Sequence, residues 1–496
     1  MGTKTKFQAI KGVRDLLPPE TELWNRVERT AREVFATYGY GEIRLPVFEQ
    51  TELFARSIGF ETEVVSKEMY SFADRPDELE RPRLAFEDIK QWVLRAEALL
   101  ALGKIPAYMK NEITIDELKA QIESVEESSG GEPDQDDLVE MWEAIGSMVL
   151  GQSLTLRPEA TASVCRAYIE HGMQTLPQPV KLYYTGPMFR RERPQKGRYR
   201  QFYQIGAEVL GGSDAPAVDA EVIEMLMVFF SKEGLEGATL NLNSIGCKNC
   251  RLKYVELLRG ELAKVKDKLG ADSQRRIETN PLRVLDSKLE SEQSIIEKLP
   301  RIAEHLCKDC KAHYNAVKRE LVLRGVAFVG NWRLVRGLDY YMRTTFEITA
   351  PGLGAQDAVC GGGRYDGLVE LLGGPPTNGI GFAIGEDRLI LSLQESGKGK
   401  AERGLDVFIA WMGEAAHETA VRAARTLRNA GLSVELPANA QKFGKALGQA
   451  DKLGARFALI LGEDEVASGQ WTVKTLAEGT QRKVSEKEFL AELVRK

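Results

Sequence analysis

The sequence predicts an α+β chain that carries helical insertions and ends in a separate α/β domain. Three observations lead there. Strand-like runs gather at residues 153–230 and again, with dense glycine, at 326–395. Helical patterning fills residues 76–152 and 240–325 instead. After residue 404 the chain alternates β-like and helical stretches, the pattern of a compact α/β domain.

Length and composition are compatible with this. The 496 residues suffice for about three domains. Apolar residues at 43% and charged residues at 28% are ordinary for a globular chain and exclude a disordered or collagen-like one. The first twenty residues hold Lys4, Lys6 and Lys11 but no apolar run, so no secretory signal is predicted. Lys6 stands where a myristoylation signal after Gly2 needs Ser or Thr. No apolar stretch approaches the roughly 18 residues that cross a bilayer, so no membrane partner is expected. Six cysteines are too few for a disulfide scaffold. The expected location is the reducing cytoplasm.

The net charge of −6 argues mildly against a nucleic-acid partner, but it hides a segregation. Residues 76–152 hold 18 acidic and 7 basic side chains, a net of −11, which leaves the remainder at +5. One acidic segment masks a basic molecule.

Taken in order, residues 1–75 predict a loop, an amphipathic helix over about Pro19–Tyr38 and a strand. Leu23, Val27, Ala31, Val34 and Phe35 recur at helical spacing, and Gly39 and Gly41 stop the helix. "EIRLPVFE" (Glu42–Glu49) is β-like, with Pro46 marking an edge or irregular strand. The acidic segment predicts three helices, near Leu84–Leu102, Thr114–Glu127 and Asp136–Val149; Thr114 and Glu117 form a capping box. It reads as a solvated insertion. "QESGKGKAERG" (Gln394–Gly404) is a polar linker. Beyond it, "LDVFIAW", a helix Glu414–Ala430, "LSVEL", a helix Lys442–Leu453, "FALILG" and "QWTVKTL" follow one another.

The most informative stretch is "TGPMFRRERPQKGRYRQFYQIGAEVLG" (Thr185–Gly211). It holds Arg190, Arg191, Arg193, Lys196, Arg198 and Arg200 against the single acid Glu192. β-like runs flank it, so it predicts two strands joined by a basic loop. Arginine forks match phosphate oxygens, and neighbouring Tyr and Phe suit a nucleotide base or an RNA backbone.

"FRRERPQKGRYRQFYQIGAE" resembles motif 2 of class II aminoacyl-tRNA synthetases in the histidyl form. "IRLPVFE" resembles motif 1, and "GIGFAIGEDRLIL" (Gly379–Leu391) resembles motif 3. "LVRGLDYYMRTTFEI" (Leu334–Ile348), "CGGGRYDGLVELLGG" (Cys360–Gly374) and "LTLRPEAT" (Leu154–Thr161) are similar to blocks of that family. The resemblance covers nearly all of residues 7–75 and 153–496. It implies a mainly antiparallel sheet flanked by helices, in a catalytic domain built from 1–75 with 153–240 and then 326–395. It makes 76–152 an acidic helical insertion, 241–325 a helical insertion domain, 396–403 a linker and 404–496 an anticodon-binding-like domain. The charge of that last segment, +1, gives little signal for RNA by itself.

The family's reaction joins L-histidine to tRNA(His) through an adenylate made from ATP with Mg²⁺. The attacking carboxylate, of pKa about 3.5, is already ionised at neutral pH, so no general base is needed. The site has to position two anions and offset charge in the transition state. The resemblance gives the catalytic roles to arginines. Arg190 would hold the α-phosphate, Glu192 would orient the adenine side, Arg388 would hold the γ-phosphate, and Arg336 would lie near the α-phosphate and substrate carboxylate. Glu159, Ala160, Thr161 and Gln204 match the amino-group site. Glu208, Tyr340, Tyr341 and Tyr365 match the imidazole pocket. Motif 1 implies a homodimer. Ala160 stands where the family usually has glycine.

Gly361, Gly362 and Gly363 lack dinucleotide-fingerprint spacing and read as room for a ligand to approach the backbone. Cys165 and Cys360 read as small buried apolar residues. Cys247-x-x-Cys250 and Cys307-x-x-Cys310 have the pairing of a structural Zn²⁺ site, although 56 residues separate the pairs; four reduced thiols are the alternative. Two other functions remain to be weighed: a non-catalytic, synthetase-like regulatory subunit that binds histidine, and a class II synthetase for another amino acid. Arg190, Arg388 and a C-terminal domain speak against the first. "RGLDYYMRT" and "GGGRYDG" speak against the second.

Overall fold

The computed structural model describes residues 7–59, 62, 64–73, 153–353, 357–399 and 405–494. The three helices expected within 76–152 lie outside the described residues. The chain divides into two compact units, one from residues 1–15 and 26–399, the other from residues 16–25 and 400–496.

The first unit is built on an eight-stranded sheet. Its strands are β1 (Gly41–Glu42), β5 (Val180–Phe189), β6 (Gln201–Leu210), β7 (Thr239–Ser244), β8 (Val329–Gly330), β9 (Met342–Thr349), β10 (Ala358–Arg364) and β11 (Gly379–Gly385), in the order β1-β5-β6-β11-β10-β9-β7-β8. The five central pairings are antiparallel and the two outermost are parallel. The expected hairpin is β5–β6, in register from Val180–Leu210 to Phe189–Gln201, with the basic loop 190–200 at its tip. A second sheet joins β2 (Phe48–Gln50), β3 (Tyr70–Ala73) and β4 (Ser153–Leu156) in the order β2-β4-β3.

Aromatic side chains bind helices to the large sheet. Phe35, on the helix Glu20–Thr37, lies 5.6 Å from Tyr183 of β5, 5.9 Å from Phe382 of β11 and 6.0 Å from Phe229 of the helix Pro216–Lys232. All four rings are buried, and each contact adds edge or tilted ring packing to the burial of apolar area.

The continuous strand expected over Glu42–Glu49 is a bent segment instead. Only Gly41–Glu42 and Phe48–Gln50 are strands. Pro46 cannot donate to a ladder. The buried Arg157 takes over, donating Nη1 to the carbonyls of Leu45 (2.9 Å) and Pro46 (3.1 Å) and Nε to that of Pro187 (2.9 Å). The helix-rich segment holds the helices Lys248–Ala263, Ala271–Thr279, Glu290–Ile296 and Lys308–Leu323.

The second unit has β12 (Val407–Trp411), β13 (Val434–Glu435), β14 (Phe457–Leu461), β15 (Trp471–Thr475) and β16 (Gln481–Val484), in the order β13-β12-β14-β15-β16. The apolar runs "VFIAW" and "FALIL" are continuous because both faces of the sheet are covered. Val407, Ile409, Leu459 and Leu461 pack with Ala416, Ala420, Ala423 and Ala424 of the helix Glu414–Asn429. Phe408, Ala410, Ala458 and Ile460 face the other way, toward Ala446 and Ala450 of the helix Phe443–Lys452.

Candidate active site

A cleft of about 270 Å³ opens over the centre of the large sheet, where β5, β6, β10 and β11 meet. Arg190, Arg336 and Arg388 all line it, although 146 residues separate the first two. Glu159, Thr161, Glu192, Gln204, Tyr340 and Tyr341 line it with them.

Main-chain carbonyls anchor two of the arginines. Arg190 leaves the hairpin tip, donates Nε to the Pro158 carbonyl at 2.9 Å and lies 5.3 Å over the Phe202 ring. Arg388 sits in the first turn of the helix Glu386–Glu395 and donates to the carbonyls of Ala358 (2.9 Å) and Gly197 (3.3 Å). Burial and then the Arg198 charge pull the Arg388 guanidinium below its ordinary range. Several cations therefore crowd one opening, the electrostatics of a polyanion site. Arg336 donates Nη1 to Glu347 at 3.0 Å and lies 5.7 Å from the Tyr341 ring. Arg198 pairs with Glu192 at 2.7 Å, and Lys196 with Glu395 at 2.8 Å. Arg191 lies 5.9 Å over the ring of Tyr70.

Acceptors gather at the other end. Glu159 precedes the helix Thr161–Glu170, and its two carboxylate oxygens accept the backbone N–H groups of Thr161 (2.7 Å) and Ala162 (2.9 Å). That is a negative group at a helix N-terminus. Burial nevertheless raises its pKa. Tyr340 reaches Glu159 at 3.5 Å, and Gln204 Oε1 is buried with no hydrogen-bond partner among the described residues. Behind this wall Glu208 accepts from Thr161 Oγ1 (2.8 Å) and from the Tyr365 hydroxyl (2.6 Å). Burial pushes the Glu208 carboxyl up to about 8.

Glu208 and Tyr365 thus stand behind the open cleft rather than on its wall. Ala160 is fully buried in an apolar cluster with Val164, Tyr184 and Tyr365. Its φ of −115° is open to any residue, so no glycine is required there. Tyr341 is 6% exposed and packs into the apolar core of the helical segment while lining the cleft.

Two of the three glycines make room for the protein's own atoms. The space beside Gly361 belongs to Arg336, whose Nη2 would lie 1.9 Å from an added Cβ. The space beside Gly362 belongs to the Phe346 ring and the Gly381 carbonyl. On these sides the protein's own atoms make the close approach, and Gly361 also lines the cleft. Cys165 and Cys360 are buried, with thiols pushed up by burial. The sequence reading missed Glu347, although it is the only acid in "MRTTFEIT" and alternation turns it toward the same face as Thr345. It also missed Asp387, which joins Arg14 (3.1 Å) to the Tyr203 backbone (3.0 Å) beside the cleft.

Comparison with known proteins agrees with this geometry. A family model described as histidyl-tRNA synthetase matches residues 121–389, over half the chain, and one described as an anticodon binding domain matches residues 406–496. A histidine–tRNA ligase of Koribacter versatilis is 47% identical over 487 residues, covering 97% of this chain and 95% of its own. The chain belongs to the histidyl-tRNA synthetase family. A histidine–tRNA ligase of Solibacter usitatus is 46% identical, with 98% and 99% of the two chains covered. The structure of an apo S. aureus histidyl-tRNA synthetase superposes with a TM-score of 0.69 at 32% identity, covering 99% of this chain and all of the other. A Bacillus halodurans chain described as an ATP phosphoribosyltransferase regulatory subunit/histidyl-tRNA synthetase shares the fold, with a TM-score of 0.54 at 17% identity.

The last constellation lies in the helical segment. The sulfur atoms of Cys247, Cys250, Cys307 and Cys310 lie within 4.8 Å of one another, and none is in a disulfide. The sequence pairs are thus brought together across the intervening residues.

Proposed function

We propose that the chain ligates L-histidine to tRNA(His) at the expense of ATP, through a histidyl-adenylate. The observation that carries this reading is the meeting of Arg190, Arg336 and Arg388 in one cleft beside the acceptors Glu159 and Gln204. In the first step a histidine carboxylate oxygen bonds to the α-phosphorus, the bond to the α–β bridging oxygen breaks, and pyrophosphate leaves. In the second, the terminal ribose hydroxyl of the tRNA attacks the activated carbonyl and AMP leaves, its phosphate assisting proton removal.

Each role follows from charge and reach. Arg190 and Arg336 offset charge on the α-phosphate, Arg388 holds the γ-phosphate, and Glu192 faces the adenine side. Glu159, Thr161 and Gln204 accept from the α-ammonium group. Tyr340 and Tyr341 line the imidazole pocket, with Glu208 and Tyr365 behind them. Such acceptors reject apolar analogues by about 10⁴-fold, because a buried acceptor would be left unpaired. Mg²⁺ would accompany the triphosphate and neutralise phosphate charge. Carboxylates of the cleft, Glu192 and Glu347 among them, are the oxygen donors that suit a hard cation.

The reading includes a homodimer, supported by Val47, Phe48 and Phe72, which are exposed at the three-stranded sheet. It includes tRNA contact by residues 406–496, a cytoplasmic location and a structural Zn²⁺ on the four cysteines. The regulatory-subunit alternative loses ground because the arginines for ATP and the C-terminal domain are both present. Pyrophosphate exchange across the twenty amino acids, followed by charging of transcribed tRNA, tests the reading. Exchange that depends on histidine alone is expected. Exchange driven by another amino acid, or histidine binding without exchange, would overturn it.

A further inference from the structure

The four-cysteine cluster stands outside the reaction described above, yet residues adjacent to it hydrogen-bond the segment that lines the cleft. Cys247 and Cys307 are the N-caps of two sixteen-residue helices, Lys248–Ala263 and Lys308–Leu323. Each C-x-x-C pair therefore sits at the first turn of a helix. The four Sγ atoms lie within 4.8 Å of one another, and Cys247 Sγ is 3.5 Å from Cys250 Sγ. Tetrahedral Zn²⁺ with bonds of about 2.3 Å sets its sulfurs about 3.8 Å apart, so a small contraction closes the site.

The backbone around the sulfurs is arranged as acceptor-seeking N–H groups. The Cys307 N–H donates to Cys250 Sγ at 3.1 Å and the Cys247 N–H to Cys310 Sγ at 3.2 Å, each crossing from one pair to the other. The Cys310 N–H donates to Cys307 Sγ at 3.5 Å. Such bonds orient metal-bound thiolates and offset their charge.

The cluster is attached to the cleft on both sides of its first pair. Ile245 and Gly246, just before Cys247, exchange backbone hydrogen bonds with Arg343 at 2.9 and 2.8 Å. Arg343 adopts φ of +49°, the only positive φ outside glycine among the described residues. That strained geometry persists only where its surroundings hold it. Gly246 permits the arrangement: its φ is +69°, and an added Cβ would lie 2.7 Å from Cys250 Cβ. Just after Cys250, Arg251 donates to the carbonyls of Asp339 (3.1 Å) and Tyr341 (2.7 Å). The segment held in this way, 336–343, carries Arg336, Tyr340 and Tyr341 into the cleft.

We propose that Cys247, Cys250, Cys307 and Cys310 hold one Zn²⁺, and that this ion is a clamp that positions the segment 336–343 and so sets the affinity for the amino-acid substrate. The ion contacts no reactant. It acts through Arg251 and Arg343, which are positioning residues. The kinetic part of the proposal rests on the synthetase reading; the metal and its grip on the segment do not.

The test uses the full chain, purified without added metal. One zinc per chain is expected after gel filtration. Cobalt(II) exchanged into the site should give tetrahedral d–d bands with thiolate charge transfer. On metal removal, hydrogen exchange in the peptide spanning 334–345 should accelerate, while β5 and β6 keep their protection. In pyrophosphate exchange the zinc-free chain should show KM for histidine raised by about tenfold, with a smaller change in KM for ATP. Arg251→Ala should keep its zinc and raise KM for histidine in the same way, and Arg251→Lys should recover part of it. This variant keeps the test informative if metal removal unfolds the helical segment. Absence of stoichiometric metal would overturn the site. Unchanged hydrogen exchange at 334–345, or an Arg251→Ala variant with parental KM, would overturn the clamp. Loss of histidine-dependent exchange in the unaltered chain would count against the synthetase reading alone, since metal content and hydrogen exchange are measured without turnover.

Discussion

Gly361→Ala should disable the cleft while leaving the sheet folded. Gly361 lies on β10 between β11 and β9, opposite Ala383 and Glu347. A Cβ there would stand 1.9 Å from Arg336 Nη2, 2.3 Å from Cζ and 2.4 Å from Nη1. Ordinary contact begins near 3.4 Å, so the guanidinium must retreat by about 1.5 Å. It is the far end of a flexible side chain, so it moves and the strand does not. The retreat also breaks the 3.0 Å bond to Glu347. Misplacing a positioning group by about 1 Å costs about 10²-fold in rate, or about 2.7 kcal/mol of transition-state stabilisation. Histidine-dependent pyrophosphate exchange measures it, beside a thermal melt. The expected result is a rate lowered about 100-fold with Tm within about 3 °C of the parent. Exchange at the parental rate would refute the reasoning. Gly362→Ala is the contrasting case. Its Cβ would meet the Phe346 ring at 2.4 Å and the Gly381 carbonyl at 2.5 Å. Backbone cannot step aside, so here Tm should fall.

Three further outcomes are expected. Arg388→Gln keeps a side-chain amide near the Ala358 carbonyl but loses the charge; pyrophosphate exchange should drop by about 10²–10³-fold, the cost of removing one preorganised donor at developing charge. Glu208 is held neutral to about pH 8, well above its ordinary value, so the folded chain binds a proton that the unfolded chain releases. Its contribution to stability is therefore complete at low pH and declines as pH rises from about 4.5 to 8; Glu208→Gln should flatten that decline in melts taken at pH 5, 6, 7 and 8. Arg364→Met leaves the fully buried Asp219 without the guanidinium that Nε and Nη2 bring to it, and urea melts should register a loss of about 3–5 kcal/mol.

The parts of the molecule that could be read in advance are those written in local pattern. The β5–β6 hairpin announces itself by alternation on either side of a dense basic loop. The strand Gly379–Gly385 running into the helix Glu386–Glu395 does so by a change of period from two to 3.6. What escaped depends on partners far along the chain. Nothing near Pro46 says that Arg157 will bond its carbonyl. Nothing near Gly361 says that its vacant side will face Arg336, because that side chain arrives from a separate loop before β9. β16, "QRKV", has a single apolar residue and owes its existence to pairing with β15, so no periodicity marks it. The four cysteines were legible as two pairs, but their union needed the fold to return Cys307 to Cys247.

Carbonyl oxygens beneath Arg190 and Arg388 bear on how such a protein can change over time. Every residue type supplies that oxygen, so Pro158 or Ala358 can be exchanged for another amino acid while the acceptor stays where it was. The guanidiniums have no such latitude. Drift in this neighbourhood is therefore free to run through the supports while the cations above them stay the same.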